Sequence, residues 1–140
     1  MRIRTMTPED FDALYELWTS NDGIGTSDAD DTPEGLARYL ARNPTTSFVA
    51  VDDEGAVRGG ILCGHDGRRG YIYHTVVSAD CQRQGIGGML LEAVEAALKA
   101  EGIGKVYVPT DAGYAPAEAF WGGHGFIERS ELVFRSKALR

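Results

Sequence analysis

The stretch Val76-Val77-Ser78-Ala79-Asp80-Cys81-Gln82-Arg83-Gln84-Gly85-Ile86-Gly87-Gly88-Met89-Leu90 decides how this chain is built. It runs from a strand end through a short loop into a glycine-rich helix start, after which Ile86, Met89, Leu90, Ala93, Val94, Ala97 and Leu98 recur on one helical face. The first N–H groups of a helix have no partner inside it, and the macrodipole adds positive potential there. Glycines let a ligand approach those groups closely, so the segment reads as an anion site, most naturally for phosphate. A nucleotide-hydrolase loop would need Lys and then Ser or Thr after the glycines, where this chain has Met89-Leu90. A dinucleotide fingerprint would need a small residue at position 90, which is Leu, and normally opens its fold. The plain alternative is that the glycines only permit tight helix packing.

Upstream of this stretch, residues 71–77 read as a strand rich in aromatic and β-branched side chains, and residues 47–51 and 56–63 as a hairpin around Asp52-Asp53-Glu54-Gly55. Residues 3–6 form a first strand. Thr7-Pro8-Glu9-Asp10 starts a helix carrying Phe11, Leu14, Tyr15, Leu17 and Trp18, and Thr32-Pro33-Glu34 starts a second through Leu36, Tyr39 and Leu40. Downstream, residues 105–108 are a strand, 115–121 a short helix, and the run through Leu132, Val133 and Phe134 a last strand. The order β-α-α-β-β-β-α-β-α-β implies an α/β (α+β) fold, with a mixed, mostly antiparallel sheet flanked by helices, and residues 1–140 as a single domain.

Composition bounds the function. The 140 residues are 43% hydrophobic, enough to form a core without a staple, and Cys63 and Cys81 read as free thiols in a reducing compartment, with no metal ligand set around them. A net charge of −7 argues against nucleic acid as a partner. No stretch is apolar enough to span a membrane, and the first residues do not form a signal, so a cytoplasmic protein is expected. The charge is uneven: residues 1–54 hold 12 acids and 4 bases, residues 55–140 hold 9 acids and 10 bases. An anionic ligand is therefore expected on the second part.

Gln82-x-x-Gly85-x-Gly87, between the Val76-Val77 strand end and an amphipathic helix, resembles the acyl-CoA signature of the GNAT superfamily of N-acetyltransferases. The element order matches that fold over nearly the whole chain. Gly125-Phe126 sits where the family's Gly-Phe pair follows the last helix, and the run Asp66-Gly67-Arg68-Arg69-Gly70 is similar to small stand-alone bacterial members. The resemblance implies an acetyl-CoA-dependent transfer to a primary amine of a small molecule or peptide, by direct attack in a ternary complex and without a metal. Thr75, Val76 and Val77 would meet the pantetheine arm. Gln82 belongs to the signature, and Arg83, Gln84, Gly85, Ile86, Gly87 and Gly88 would cradle the pyrophosphate. The strands at 71–77 and 105–108 would splay like a V around the thioester, with the Val77 N–H stabilising the oxyanion. Homodimers joined through terminal strands or central helices are also implied.

The chain departs from the family at the acid. Many members carry a Tyr four residues before the Gly-Phe pair to protonate the departing thiolate. Here the position is Trp121, so Phe120 and Trp121 would pack against CoA, and Tyr114 is left as a replacement donor or a loop aromatic covering the sheet edge. Asp111 is the carboxylate for a base, or else a turn residue before Gly113. Strict alternation puts Tyr71, Tyr73, Thr75 and Val77 on one face, with Tyr73 as a catalytic candidate. The same rule places His74 on the other face, under a helix, as a hydrogen-bonded core histidine. Arg68 and Arg69 precede the central strand and are expected as solvated turn charges or as contacts at the substrate or dimer end. The acidic loop Ser27-Asp28-Ala29-Asp30-Asp31 with Glu34 either draws a cationic acceptor or is simply solvated. Loss of the acid also leaves open a degenerate acyl-CoA-binding regulatory or interaction module.

Overall fold

The computed structural model describes residues 1–22 and 24–139. They fall into a larger unit, Met1–Pro109, and a smaller one, Thr110–Arg140, each described by itself.

The larger unit is built on a five-stranded sheet in the order β1 to β5: β1 (Arg2–Thr5), β2 (Phe48–Val51), β3 (Val57–His65), β4 (Gly70–Val77) and β5 (Val106–Tyr107). The first four strands pair antiparallel in sequence order, while β4 and β5 pair parallel. A parallel neighbour requires a crossover, supplied by the 15-residue helix α3 (Ile86–Ala100), which follows α1 (Phe11–Ser20) and α2 (Pro33–Arg42) in the chain.

Local chemistry sets the helix starts. Before α1, Pro8–Asp10 forms a 3-10 turn in which Asp10 accepts from the Thr7 N–H at 2.9 Å and from both Arg4 guanidinium nitrogens at 2.9 Å. Thr32 caps α2 by accepting from the Gly35 N–H, with Pro33 in the first turn.

The two faces of β3 show which helix covers which side. A side chain at Gly60 would put its Cβ 2.5 Å from Leu14 of α1, and one at Gly64 would lie 2.6 Å from the Tyr39 hydroxyl and Asn43 Nδ2 at the end of α2. On the opposite face, a Cβ at Gly59 would meet Leu90 and Ile86 of α3. Helices α1 and α2 thus cover one side, over a core of Met6, Leu14, Trp18, Leu36, Leu40, Val49, Val51, Leu62 and Val76, and α3 covers the other. Both cysteines are free; burial pushes the Cys63 thiol up to about 12.

The smaller unit contains α4 (Ala115–Gly123), in which Trp121 packs edge-on to Phe120 and Phe126. The strand expected through Leu132, Val133 and Phe134 does not form: these side chains are exposed and the segment has no ladder partner among the described residues. Its β-prone residues favour extension, but a strand exists only where a neighbouring edge supplies hydrogen bonds.

Candidate active site

The loop from β4 to α3 begins with a 3-10 turn, Ala79–Cys81, and continues through the exposed Gln82, Arg83 and Gln84. Arg83 has φ 66 and Gly85, the N-cap of α3, has φ 79. The left-handed region costs glycine nothing, whereas for Arg83 it costs roughly 1–2 kcal/mol. The first bond into the helix is Met89 N–H to Gly85 O at 3.0 Å, and the N–H groups of Ile86, Gly87 and Gly88 donate to no group among the described residues. Three free donors thus lie at a positive helix end beside an arginine, an arrangement that accepts anions. Asp80, the acid within the loop, accepts from Ser78 Oγ at 2.6 Å and lies 3.9 Å from Arg58, so its charge is offset locally.

Strand β4 has two different edges. On one it pairs with β3 along its length; on the other β5 reaches only Gly70 and Tyr71, opposite Val106 and Tyr107. From Ile72 to Val77 that second edge has no strand partner among the described residues. Ser78 donates to Arg58 O on β3 at 2.7 Å, and alternation turns the Val77 N–H and carbonyl the other way, to the open edge. There Gln82 Nε2 donates to the Val77 carbonyl at 3.2 Å, tying the glycine loop to the strand end.

The side facing α1 and α2 corrects the strict alternation. Between the pairs Ile61↔Thr75 and Cys63↔Ile72, β3 advances two residues and β4 three, which is a β-bulge at Tyr73 and His74. Tyr73 packs edge-on to Tyr39 of α2 at 5.9 Å and His74 packs against Trp18 of α1 at 4.8 Å, so both face the same helices, joined by Tyr71. Thr75 and Val77 pass to the α3 side, opposite Ile61 and Gly59. His74 is hydrogen-bonded, as expected, but not on the face opposite Tyr73: its Nε2 meets both Asp31 carboxylate oxygens at 3.0 and 3.1 Å. Asp31 also accepts from the Ser27 N–H, so this carboxylate of the acidic loop anchors the loop to β4. Burial and the neighbouring charge of Asp30 raise the Tyr73 phenol.

In the smaller unit Asp111 O accepts from the Tyr114 N–H at 3.2 Å, Gly113 has φ 78, and Tyr114 is the N-cap of α4. Asp111 and Tyr114 therefore share one turn, and Phe120 and Trp121 follow on the helix. Asp111 holds the turn position that was its other reading. Of the remaining candidates, Thr75 to Gly88 follow one another along the end of β4 and the α3 start, while Tyr73 faces α2 across the sheet. Among the described residues no group of three or more His, Cys, Asp or Glu gathers as a metal site, and no helix is long and apolar enough to cross a membrane. His74 and Asp31 were not legible as a pair because the bulge that aligns them leaves no mark in the strand's composition.

The family model for the acetyltransferase (GNAT) family matches residues 11–126. The chain belongs to the GNAT family. It is 30% identical over 108 residues to an acetyltransferase of Pectobacterium atrosepticum, covering 77% of this chain and 74% of that protein. AAC(6')-Iy, solved with the bisubstrate analogue CoA-S-monomethyl-acetylneamine, superposes with a TM-score of 0.77 at 16% identity, over 98% of this chain and 97% of that one. The ribosomal-protein-S18-alanine N-acetyltransferase of Escherichia coli gives 0.77 at 22% identity, over 92% and 79%. At those identities the two structures speak for the fold. Membership of the GNAT family makes the chain an acyl-CoA-dependent N-acetyltransferase.

Proposed function

We propose that the enzyme transfers the acetyl group of acetyl-CoA to a primary amine of a small molecule or peptide, the amine attacking directly in a ternary complex. The observation that carries this reading is the set of three free N–H groups at the start of α3, next to the unpaired edge of β4. The N–H groups of Ile86, Gly87 and Gly88, with Arg83, Gln84 and Gly85, take the pyrophosphate, and Gln82 holds the loop. The open edge takes the pantetheine amides on the outward backbone groups of Thr75 and Val77, with Val76 between them, and the Val77 N–H faces the thioester oxygen. Phe120 and Trp121 pack on CoA. The reading treats residues 1–140 as one catalytic domain, which is supported by a family match that runs through both units.

In the transfer the amine nitrogen bonds to the acetyl carbon, the carbon–sulfur bond breaks, and the proton given up by the amine is matched by one taken up by the CoA thiolate. His74 is the base best supported by geometry: Asp31 holds Nε2, and Nδ1 has no hydrogen-bond partner among the described residues. Tyr73 lines the same side, Asp111 is the second carboxylate considered for proton removal, and Tyr114 is the proposed acid in place of the Tyr that Trp121 replaces. A cationic amine is drawn toward Asp28, Asp30, Asp31 and Glu34. A cytoplasmic enzyme fits the two free thiols.

Calorimetry with acetyl-CoA tests the binding half: binding that is lost in Gly87→Glu and kept in Arg68→Ala supports the map, and no binding at millimolar ligand overturns it. Thiol release over a panel of amines tests the transfer. Trp121 keeps a second reading, a module that binds CoA without transferring; binding with no thiol release from any amine would favour it.

A further inference from the structure

A cavity of about 480 Å3 opens on the α2 side of the sheet, where β3 turns into β4. Its volume lies within the roughly 300–1,000 Å3 of small-molecule sites. Tyr39, Tyr71, Tyr73 and Tyr107 form much of its wall, and Arg42 and Arg69 stand in it from two directions, the end of α2 and the β3–β4 turn. Tyr73 is also the residue before His74, so the aromatic wall leads to the bulge that carries the proposed base.

Neither arginine of this cavity is paired with an acid among the described residues. The Arg42 guanidinium makes no hydrogen bond or ion pair among the described residues, and the Arg69 guanidinium donates only to the Arg68 carbonyl, at 3.0 Å. Asp66, the one acid in the lining, is occupied by the backbone N–H groups of Arg68 and Arg69, which hold its carboxyl below the ordinary range. His65, also in the lining, lies 4.0 Å from Glu101. The Tyr39 hydroxyl is buried without any partner beside Gly64, which leaves a donor in the wall with nothing to donate to. Burial raises the Tyr39 phenol strongly, so it stays protonated and able to donate.

We propose that this cavity is the acceptor subsite and takes an aromatic α-amino acid, with its carboxylate on Arg42 and Arg69, its ring among the tyrosines, and its amine toward Tyr73 and the His74–Asp31 pair. The proposal rests on the acetyltransferase reading above and names its substrate class. Two guanidiniums make the carboxylate a requirement for good binding. Flat aromatic walls favour a ring over a flexible polyamine or a polyhydroxylated sugar. The acids near the bulge then receive the ammonium end of the zwitterion, so the two signs of charge fix its direction.

The test compares L-phenylalanine, L-phenylalaninamide and phenethylamine as acceptors, with thiol release as the readout and acetyl-CoA binding measured in parallel by calorimetry. The expected result is a kcat/KM for L-phenylalanine at least about tenfold above both analogues, with the preference lost in Arg42→Gln/Arg69→Gln while acetyl-CoA binding is unchanged. Circular dichroism confirms that the double variant is folded, and both arginines are exposed, so no core contact is removed. Equal or better turnover of phenethylamine, or a preference that survives in the double variant, overturns the subsite while leaving the acetyltransferase reading intact. Failure of acetyl-CoA to bind at all overturns both.

Discussion

His74 Nε2 lies 3.0 Å from Asp31 Oδ2, so the middle of β4 holds the end of the loop between α1 and α2. A strand residue and a loop residue 43 positions apart are joined this way, and the proposed base and the segment beside it become one mechanical unit. For His74→Gln the expected outcome is a fall in kcat of about a hundredfold or more, with acetyl-CoA affinity unchanged. A kcat that falls only in step with a loss of thermal stability would make the pair purely structural.

Arg83 stores backbone strain in the loop where its charge is proposed to serve binding. Arg83→Gly is expected to change stability by less than about 1 kcal/mol, because relief of strain offsets the added chain entropy. The same variant should bind acetyl-CoA about tenfold more weakly through the lost cation. Thermal melts and calorimetry on one sample separate the two effects. Gly85→Ala, at φ 79, should lose roughly 1–2 kcal/mol of stability.

Acid should loosen the start of α1. Burial pushes the Asp10 carboxyl up, but the bonds from Arg4 and the Thr7 N–H and the Arg4 charge outweigh it, and the net shift is downward. A carboxyl lowered in the folded state stabilises above its unfolded value of about 4, and that contribution is lost as pH falls through the folded value. Asp10→Asn is expected to cost about 2 kcal/mol at pH 7 and little once the wild-type carboxyl is protonated. Urea melts across pH 2–7 give the difference curve.

The two thiols should react at different rates. Cys63 is buried, with its thiol at about 12, and Cys81 is half-buried beside Asp80. A disulfide reagent should modify Cys81 first and reach Cys63 only as fast as the chain opens. Cys81→Ser should abolish the early phase.

Most of the sheet, the helices and the glycine-rich start of α3 were legible, because period, caps and glycines are local signals. Thr32-Pro33 and Gly85-Ile86-Gly87-Gly88 mark their helix starts in the sequence itself. The face of His74 was not legible, since one extra residue in β4 inverts everything after it and the ladder register is a property of two strands. The pocket arginines were divided: Arg69 lay in a turn whose charges read as solvated or as contacts at the substrate or dimer end, while Arg42 carried no signal at the end of an amphipathic helix. The final run through Phe134 looked like a strand because it is β-prone, yet pairing depends on an available edge.

The bare positions of β3 have a consequence for how the protein tolerates change. Gly60 and Gly64 lower the helices onto the sheet, and the distance so removed is what lets Tyr39 form the wall of a cavity instead of standing above a filled surface. A mutational scan should find β3 among the least forgiving segments, although it offers no reactive atom at those sites. Chemical diversity at the cavity is free to vary along its rim, while its depth is written in residues that have no side chain.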